Sequence, residues 1–189
     1  MEPHLSGKDK IMFYKYLDNA TNYFEFGSGG STYQASMRPN IQRIVTVESD
    51  KVWLDKLKKT IPESVQREKI TFIHNEMDAR PNDWGNPGPK ATPEQKKAYS
   101  QHILIQPNRD MSWLVFIDGR FRVACCLKAH VLENAIIIFD DFLDRPQYHV
   151  VLNYFDVVES TADKRMVVLK RKNVPVPPEL IEKYELIHG

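Results

Sequence analysis

The stretch Glu25-Phe26-Gly27-Ser28-Gly29-Gly30-Ser31-Thr32 follows a short apolar run and leads into a helix-forming one. Glycines in such a place let the backbone turn sharply and bring a ligand against main-chain atoms that a Cβ would screen. The third glycine of a dinucleotide GxGxxG element would fall at position 32, where this chain has Thr32. Carboxylates recur at comparable places further on: Glu48, then Glu76 with Asp78, then Asp118, then the pair Asp140-Asp141, each just past a strand-like run. With Glu25 they put an acid at the carboxyl end of every expected parallel strand, the edge where open α/β sheets bind ligands. A pyrophosphate would be repelled there, whereas a ligand carrying a sulfonium, an ammonium and a ribose diol would be held. The acids therefore point to S-adenosylmethionine (SAM) rather than to NAD.

The elements that must position these residues can be read from periodicity. Strand-like runs at 22–26, 43–48, 70–74, 113–117 and 135–139 alternate with helix-period segments, the pattern of βαβ units around a parallel sheet. A leading helix is expected over 7–18, with Ile11, Tyr14 and Leu17 among its apolar positions. Ser49-Asp50 caps a helix through Lys59 whose Val52, Trp53, Leu57 and Ile61 face the core, and another helix is expected over 120–132. Near the C-terminus, 155–160 and 165–170 are joined by a short polar link at 161–164, which describes an antiparallel hairpin. The expected fold is α/β: a Rossmann-like three-layer sandwich whose mostly parallel sheet is closed by that hairpin. One domain over 1–189 suits the chain length. The segment 79–111, with Pro81, Pro87, Pro89, Pro93 and Pro107, is too long for an ordinary connection and is read as an insertion acting as a lid, with a helix from 93 to about 105 inside it.

The glycine turn in its E-F-G-S-G-G-S-T form, Glu48 about 20 positions on, Ile117-Asp118-Gly119 and the terminal hairpin together resemble the class I SAM-dependent methyltransferases. The run Asp118-Gly119-Arg120-Phe121-Arg122 resembles one group within that superfamily, and Ser31 departs from it where many members have a third glycine. The resemblance implies that Glu25 and the backbone of Gly27, Ser28, Gly29 and Gly30 hold the methionine end of SAM, and that Glu48 takes the ribose hydroxyls. It places Asp78 near the adenine, with Asp83 and Trp84 as rivals, and Asp118 near the amino group or the methyl acceptor. It implies a transferase, read here as an O-methyltransferase of a small molecule or sugar. The alternative from another class is a non-catalytic Rossmann-like protein that binds a nucleotide or a partner.

Methyl transfer is an in-line displacement, so alignment supplies much of the rate and the protein need only accept a proton from the acceptor. Asp118, Asp140 and His149 are the candidates near the reaction, His149 because imidazole titrates near neutrality. Asp118, Asp140 and Asp141 also resemble the magnesium ligands of catechol-type O-methyltransferases, though here the pair after the fifth strand is Asp-Asp. Arg120, Arg122 and Arg145 either recognise an anionic substrate or pair with the nearby aspartates. With 26 basic and 25 acidic residues the net charge is +1, so no global field attracts nucleic acid, and Lys170-Arg171-Lys172 lacks interleaved aromatics. A small-molecule acceptor is expected, with no membrane partner, and a second subunit is a candidate contributor to acceptor choice. The adjacent Cys125 and Cys126 cannot form a long-range staple, and the polar N-terminus lacks a secretory signal's apolar core; both suggest a cytoplasmic protein.

Overall fold

The computed structural model describes residues 1–105, 110–162 and 165–189. The part of the 79–111 insertion at 106–109, with Pro107, and the part of the 161–164 link at 163–164 lie outside them. Five parallel strands, β1 (Asn22–Phe26), β2 (Arg43–Glu48), β3 (Ile70–His74), β4 (Ser112–Ile117) and β5 (Asn134–Phe139), join an antiparallel pair, β6 (Phe155–Ser160) and β7 (Val167–Arg171). The order across the sheet is β3-β2-β1-β4-β5-β7-β6. β1 is buried along its whole length, as expected of a central strand covered on both faces, and its sequence is accordingly a continuous run rather than an alternation. β6 is the outer edge; most of it is exposed, and a register shift between Val157 and Glu159 interrupts its pairing.

The pleat sorts β1 between two cores. Phe24 and Phe26 face a cluster with Val115, Ile117, Cys125 and Tyr99, under α4 (Pro93–Gln101), α5 (Arg122–Ala129) and α6 (Pro178–Tyr184). Tyr23 faces the other cluster, with Ile44, Leu114 and Phe116 under α1 (Gly7–Leu17). Glu25 shares Tyr23's side, since residues two apart point the same way.

The helices differ from expectation in detail. α1 buries Met12, Phe13 and Leu17, while Ile11 is 74% exposed. In α3 (Lys51–Thr60) Leu54 and Leu57 are buried, whereas Val52 is 62% exposed and Trp53 is half-buried, its indole Nε1 donating to the Ser28 carbonyl at 2.8 Å. α2 (Gly30–Ser36) starts at the last glycine of the turn. α4 opens with a capping box between Thr92 and Gln95 and stops at Gln101. α5 starts only at Arg122 because Phe121 before it has φ 52°, outside the right-handed helical region.

Candidate functional site

The carboxyl ends of β1, β2, β4 and β5 open into a cleft of about 720 Å³, within the range of small-ligand sites. Its floor is the glycine turn. Gly27 has φ 95°, and a Cβ there would lie 2.8 Å from the Gly119 backbone, so the turns after β1 and β4 touch main chain to main chain. Ser28 Oγ meets Thr46 Oγ1 at 2.6 Å, and with the Trp53 indole on its carbonyl the turn is held from both sides. Gly29 has open space where its Cβ would be, so nothing blocks approach to its backbone.

Glu48 ends β2 and lines the cleft. Its carboxylate accepts from the main-chain N–H groups of Ser28 (3.0 Å), Ser49 (2.7 Å) and Asp50 (2.8 Å). Burial pushes its pKa up, and those three donors oppose the shift. Asp50 caps α3 through the Trp53 N–H and accepts the Asn82 N–H with its other oxygen, at 3.1 Å. Ser49 Oγ donates to the Gly85 carbonyl at 2.8 Å. These bonds tie the loop around 82–86 to the end of β2, where Asn82, Trp84, Gly85 and Asn86 line the cleft.

Across from Glu48 lie Asp118, after β4, and Asp140-Asp141, after β5, with oxygens within 4.8 Å of one another. Arg122 clamps them: Nη2 pairs with Asp118 Oδ1 at 3.0 Å, and Nη1 reaches Asp141 Oδ2 at 3.2 Å and the Asp140 carbonyl at 2.8 Å. Asp141 also pairs with Arg145 at 2.9 Å and Arg165 at 2.8 Å. Asp140 Oδ1 is buried without a hydrogen-bond partner among the described residues. Burial, then repulsion from Asp118 and Asp141, pushes the Asp140 carboxyl up to about 8; burial raises Asp118 as well, opposed by the Arg122 charge and a hydrogen bond from Asp140.

The three aspartates thus converge, as expected of a metal site, but they do so among arginines. Asp118 Oδ1 and both oxygens of Asp141 already serve guanidinium groups, and a divalent ion there would sit among those cations.

Other expected positions fall elsewhere. Glu25 is fully buried beneath the glycine turn, where its carboxylate accepts from Ser31, Thr32 and Tyr23; the pleat aims it away from the cleft. Burial raises its pKa to about 7, against those hydrogen bonds. Asp78 has φ 54° and accepts the Lys90 N–H at 3.0 Å, closing the base of the loop, and Asp83 bonds Asn86; neither lines the cleft. Trp84 lines it but is 71% exposed, with its ring 5.5 Å from that of His4. His149 lies off the cleft and donates from Nε2 to the Phe142 carbonyl at 3.1 Å.

Sequence reading did not single out residues 1–4, which roof the cleft beside the glycine turn. The backbone of Glu2 and Pro3 packs so closely on Gly30 that no Cβ would fit. Gly30 was visible in the sequence, but its partner, about 28 positions away along the chain, was not. Arg165 and Tyr99 were missed for the same reason, since each reaches the cleft only through tertiary packing.

A methyltransferase-like protein from Silicibacter pomeroyi superposes with a TM-score of 0.80 over 97% of this chain and 94% of that one, at 23% identity. The fold is that of the class I SAM-dependent methyltransferases. The O-methyltransferase TomG of Streptomyces achromogenes, solved with SAM, gives 0.53 at 13% identity over 89% of this chain and 82% of that one. A Streptococcus pneumoniae protein described as a transfer-RNA methyltransferase gives 0.52 at 14% identity over 94% and 75%. The methyltransferase fold thus serves both small-molecule and RNA acceptors among these neighbours. No family model and no curated protein matches the chain by sequence. Among the described residues no helix is long and apolar enough to cross a membrane.

Proposed function

We propose that this chain is a SAM-dependent methyltransferase that methylates an oxygen of a small molecule or sugar. The observation that carries the reading is Glu48: a buried carboxylate at the end of β2, opposite an open glycine turn, in a cleft of suitable size. When bound, SAM supplies a sulfonium methyl group to an in-line nucleophile. Glu48 would accept from the ribose hydroxyls with lone pairs its three backbone donors leave free, since a carboxylate offers about four acceptor positions. The backbone of Gly27 to Gly30 would receive the methionine end.

Asp140 is our choice for the proton acceptor. It lines the cleft, has one oxygen without a partner, and has a carboxyl raised to about 8, near the range where a base both exists and takes a proton readily. Asp118, beside it, would steady the methyl-acceptor end. The loop around 82–86 and residues 1–4 would exclude water. Calorimetric titration with SAM, S-adenosylhomocysteine and NAD tests the reading: the first two should bind and NAD should not. Binding of NAD alone would overturn it.

A further inference from the structure

Four arginines and three aspartates line one part of the cleft, whereas Glu48 and Asp50 line another without an ion-pair partner among the described residues. The cleft is therefore polarised. Its acidic part suits a cationic cofactor, which leaves the arginine-rich part to be explained.

Arg122 is explained by structure: it is buried, bonds Asp118 and Asp141, and adds the carbonyls of Gly119, Asp140 and Asp118. Arg120, two residues earlier, is in the opposite condition. Among the described residues its side chain makes one hydrogen bond, Nη1 to Asn86 Oδ1 at 3.1 Å, and its Nε is buried with no acceptor. No carboxylate among them lies within ion-pair distance. Burial, with the Arg122 charge beside it, lowers its pKa from the ordinary guanidinium value. A guanidinium carries five donors in a rigid fork, and a purely structural tie to one amide would not need it. Withdrawing a cation from water without an anion is costly, so such a group marks the place of one. Arg145 and Arg165 extend the feature: both line the cleft, and their side chains stay 37% and 43% exposed despite sharing Asp141.

We propose that the methyl acceptor is a small anionic molecule whose carboxylate or phosphate is held by Arg120, with Arg145 and Arg165 completing the site. The inference rests on the methyltransferase reading and names the acceptor class for it. Held there, the acceptor presents its hydroxyl to the Asp118–Asp140 pair in the same cleft. A small molecule is favoured over RNA because the arginines share a cleft of about 720 Å³ with residues 1–4 and 82–86, a size that suits a small ligand, and the chain's net charge is only +1.

The test is calorimetry of protein saturated with S-adenosylhomocysteine, titrated with inorganic phosphate and separately with malonate, with chloride holding ionic strength constant. At least one anion should bind, and Arg120→Gln should weaken it by about tenfold or more while S-adenosylhomocysteine affinity stays within about threefold. Arg120→Lys, which keeps the charge, should lose less for phosphate than for malonate, because a point charge suffices for phosphate better than for a planar carboxylate. That contrast also guards against a variant that merely folds badly. Equal anion binding by wild type and Arg120→Gln, or no binding to wild type, overturns the proposal. Competition between the anion and S-adenosylhomocysteine also overturns it, since Arg120 would then hold the cofactor's carboxylate. A short oligoribonucleotide binding about tenfold tighter than phosphate through Arg120 would replace the small molecule with RNA. If S-adenosylhomocysteine fails to bind while the anion does so through Arg120, the anion site stands and the acceptor assignment falls with the methyltransferase reading.

Discussion

Glu48 and Asp140 line one cleft as two carboxylates with opposite surroundings. Glu48 is satisfied by three backbone N–H groups and stays suited to accept from hydroxyls. Glu48→Ala is expected to weaken S-adenosylhomocysteine binding by about 2–4 kcal/mol with folding intact. Glu159→Ala is the control, because Glu159 on β6 only pairs with Lys15 and Tyr16; equal affinity in wild type and the Glu48 variant would remove Glu48 from the site. Asp140 lacks such donors and is held protonated by burial and by two acidic neighbours. As a base it must first lose that proton, so the methylation rate should rise with pH through about 8 and level off above it. Asp140→Asn should abolish the ascending limb and cost about 10²–10⁴ in rate, read from kcat across pH. A pH profile shared by wild type and variant would assign the limb to another group.

Among the elements, the loop after β3 is the one most exposed to test. Among the described residues, five other than glycine have positive φ, and three of them, Asp78, Asn82 and Trp84, are in this segment, while Phe121 and Asp141 follow β4 and β5. Such backbone strain gathers where a fold over-determines its loops near a site. Gly85, at φ 68°, passes so close to β2 that a Cβ would lie 2.6 Å from Ser49 Oγ and 3.1 Å from Glu48 Oε1. Gly85→Ala is therefore expected to lift the loop, speed hydrogen exchange over 82–86 and lower cofactor affinity about tenfold or more. Unchanged exchange and affinity would mean that the loop tolerates displacement and does not close the cleft. Its prolines and length set it apart in the sequence, and so did Trp84. The roles of Asp78 and Asp83 were not readable there, because both carboxylates accept hydrogen bonds from the loop's own chain.

Across the whole molecule, buried acids couple stability to pH. Glu25 is raised from 4.5 to about 7 and Asp140 from 3.8 to about 8. In that window the unfolded chain has released protons that the folded chain retains, so the stability present at low pH is lost as pH rises towards about 8. Thermal unfolding of the ligand-free protein should accordingly move to lower temperature between about pH 5 and 9, and Asp140→Asn should flatten that slope. A wild-type midpoint independent of pH would show that these acids ionise at no cost. Chelator should leave methylation intact, given that arginines occupy the aspartate oxygens a magnesium ion would need; loss of activity restored by magnesium would reverse that judgement. The sequence alone determined the parallel strands, the glycine turn, the terminal hairpin and the acids at the strand ends, because each depends on local periodicity and turn chemistry. Tertiary structure alone decided which acids reach the cleft. The pleat parity of β1 hides Glu25, while neighbouring β4 and β5 bring Asp118 to Asp140 and Asp141. Only folding could deliver Arg165 to Asp141 and residues 1–4 to Gly30, since contacts between distant segments depend on strand order and the packing above the sheet.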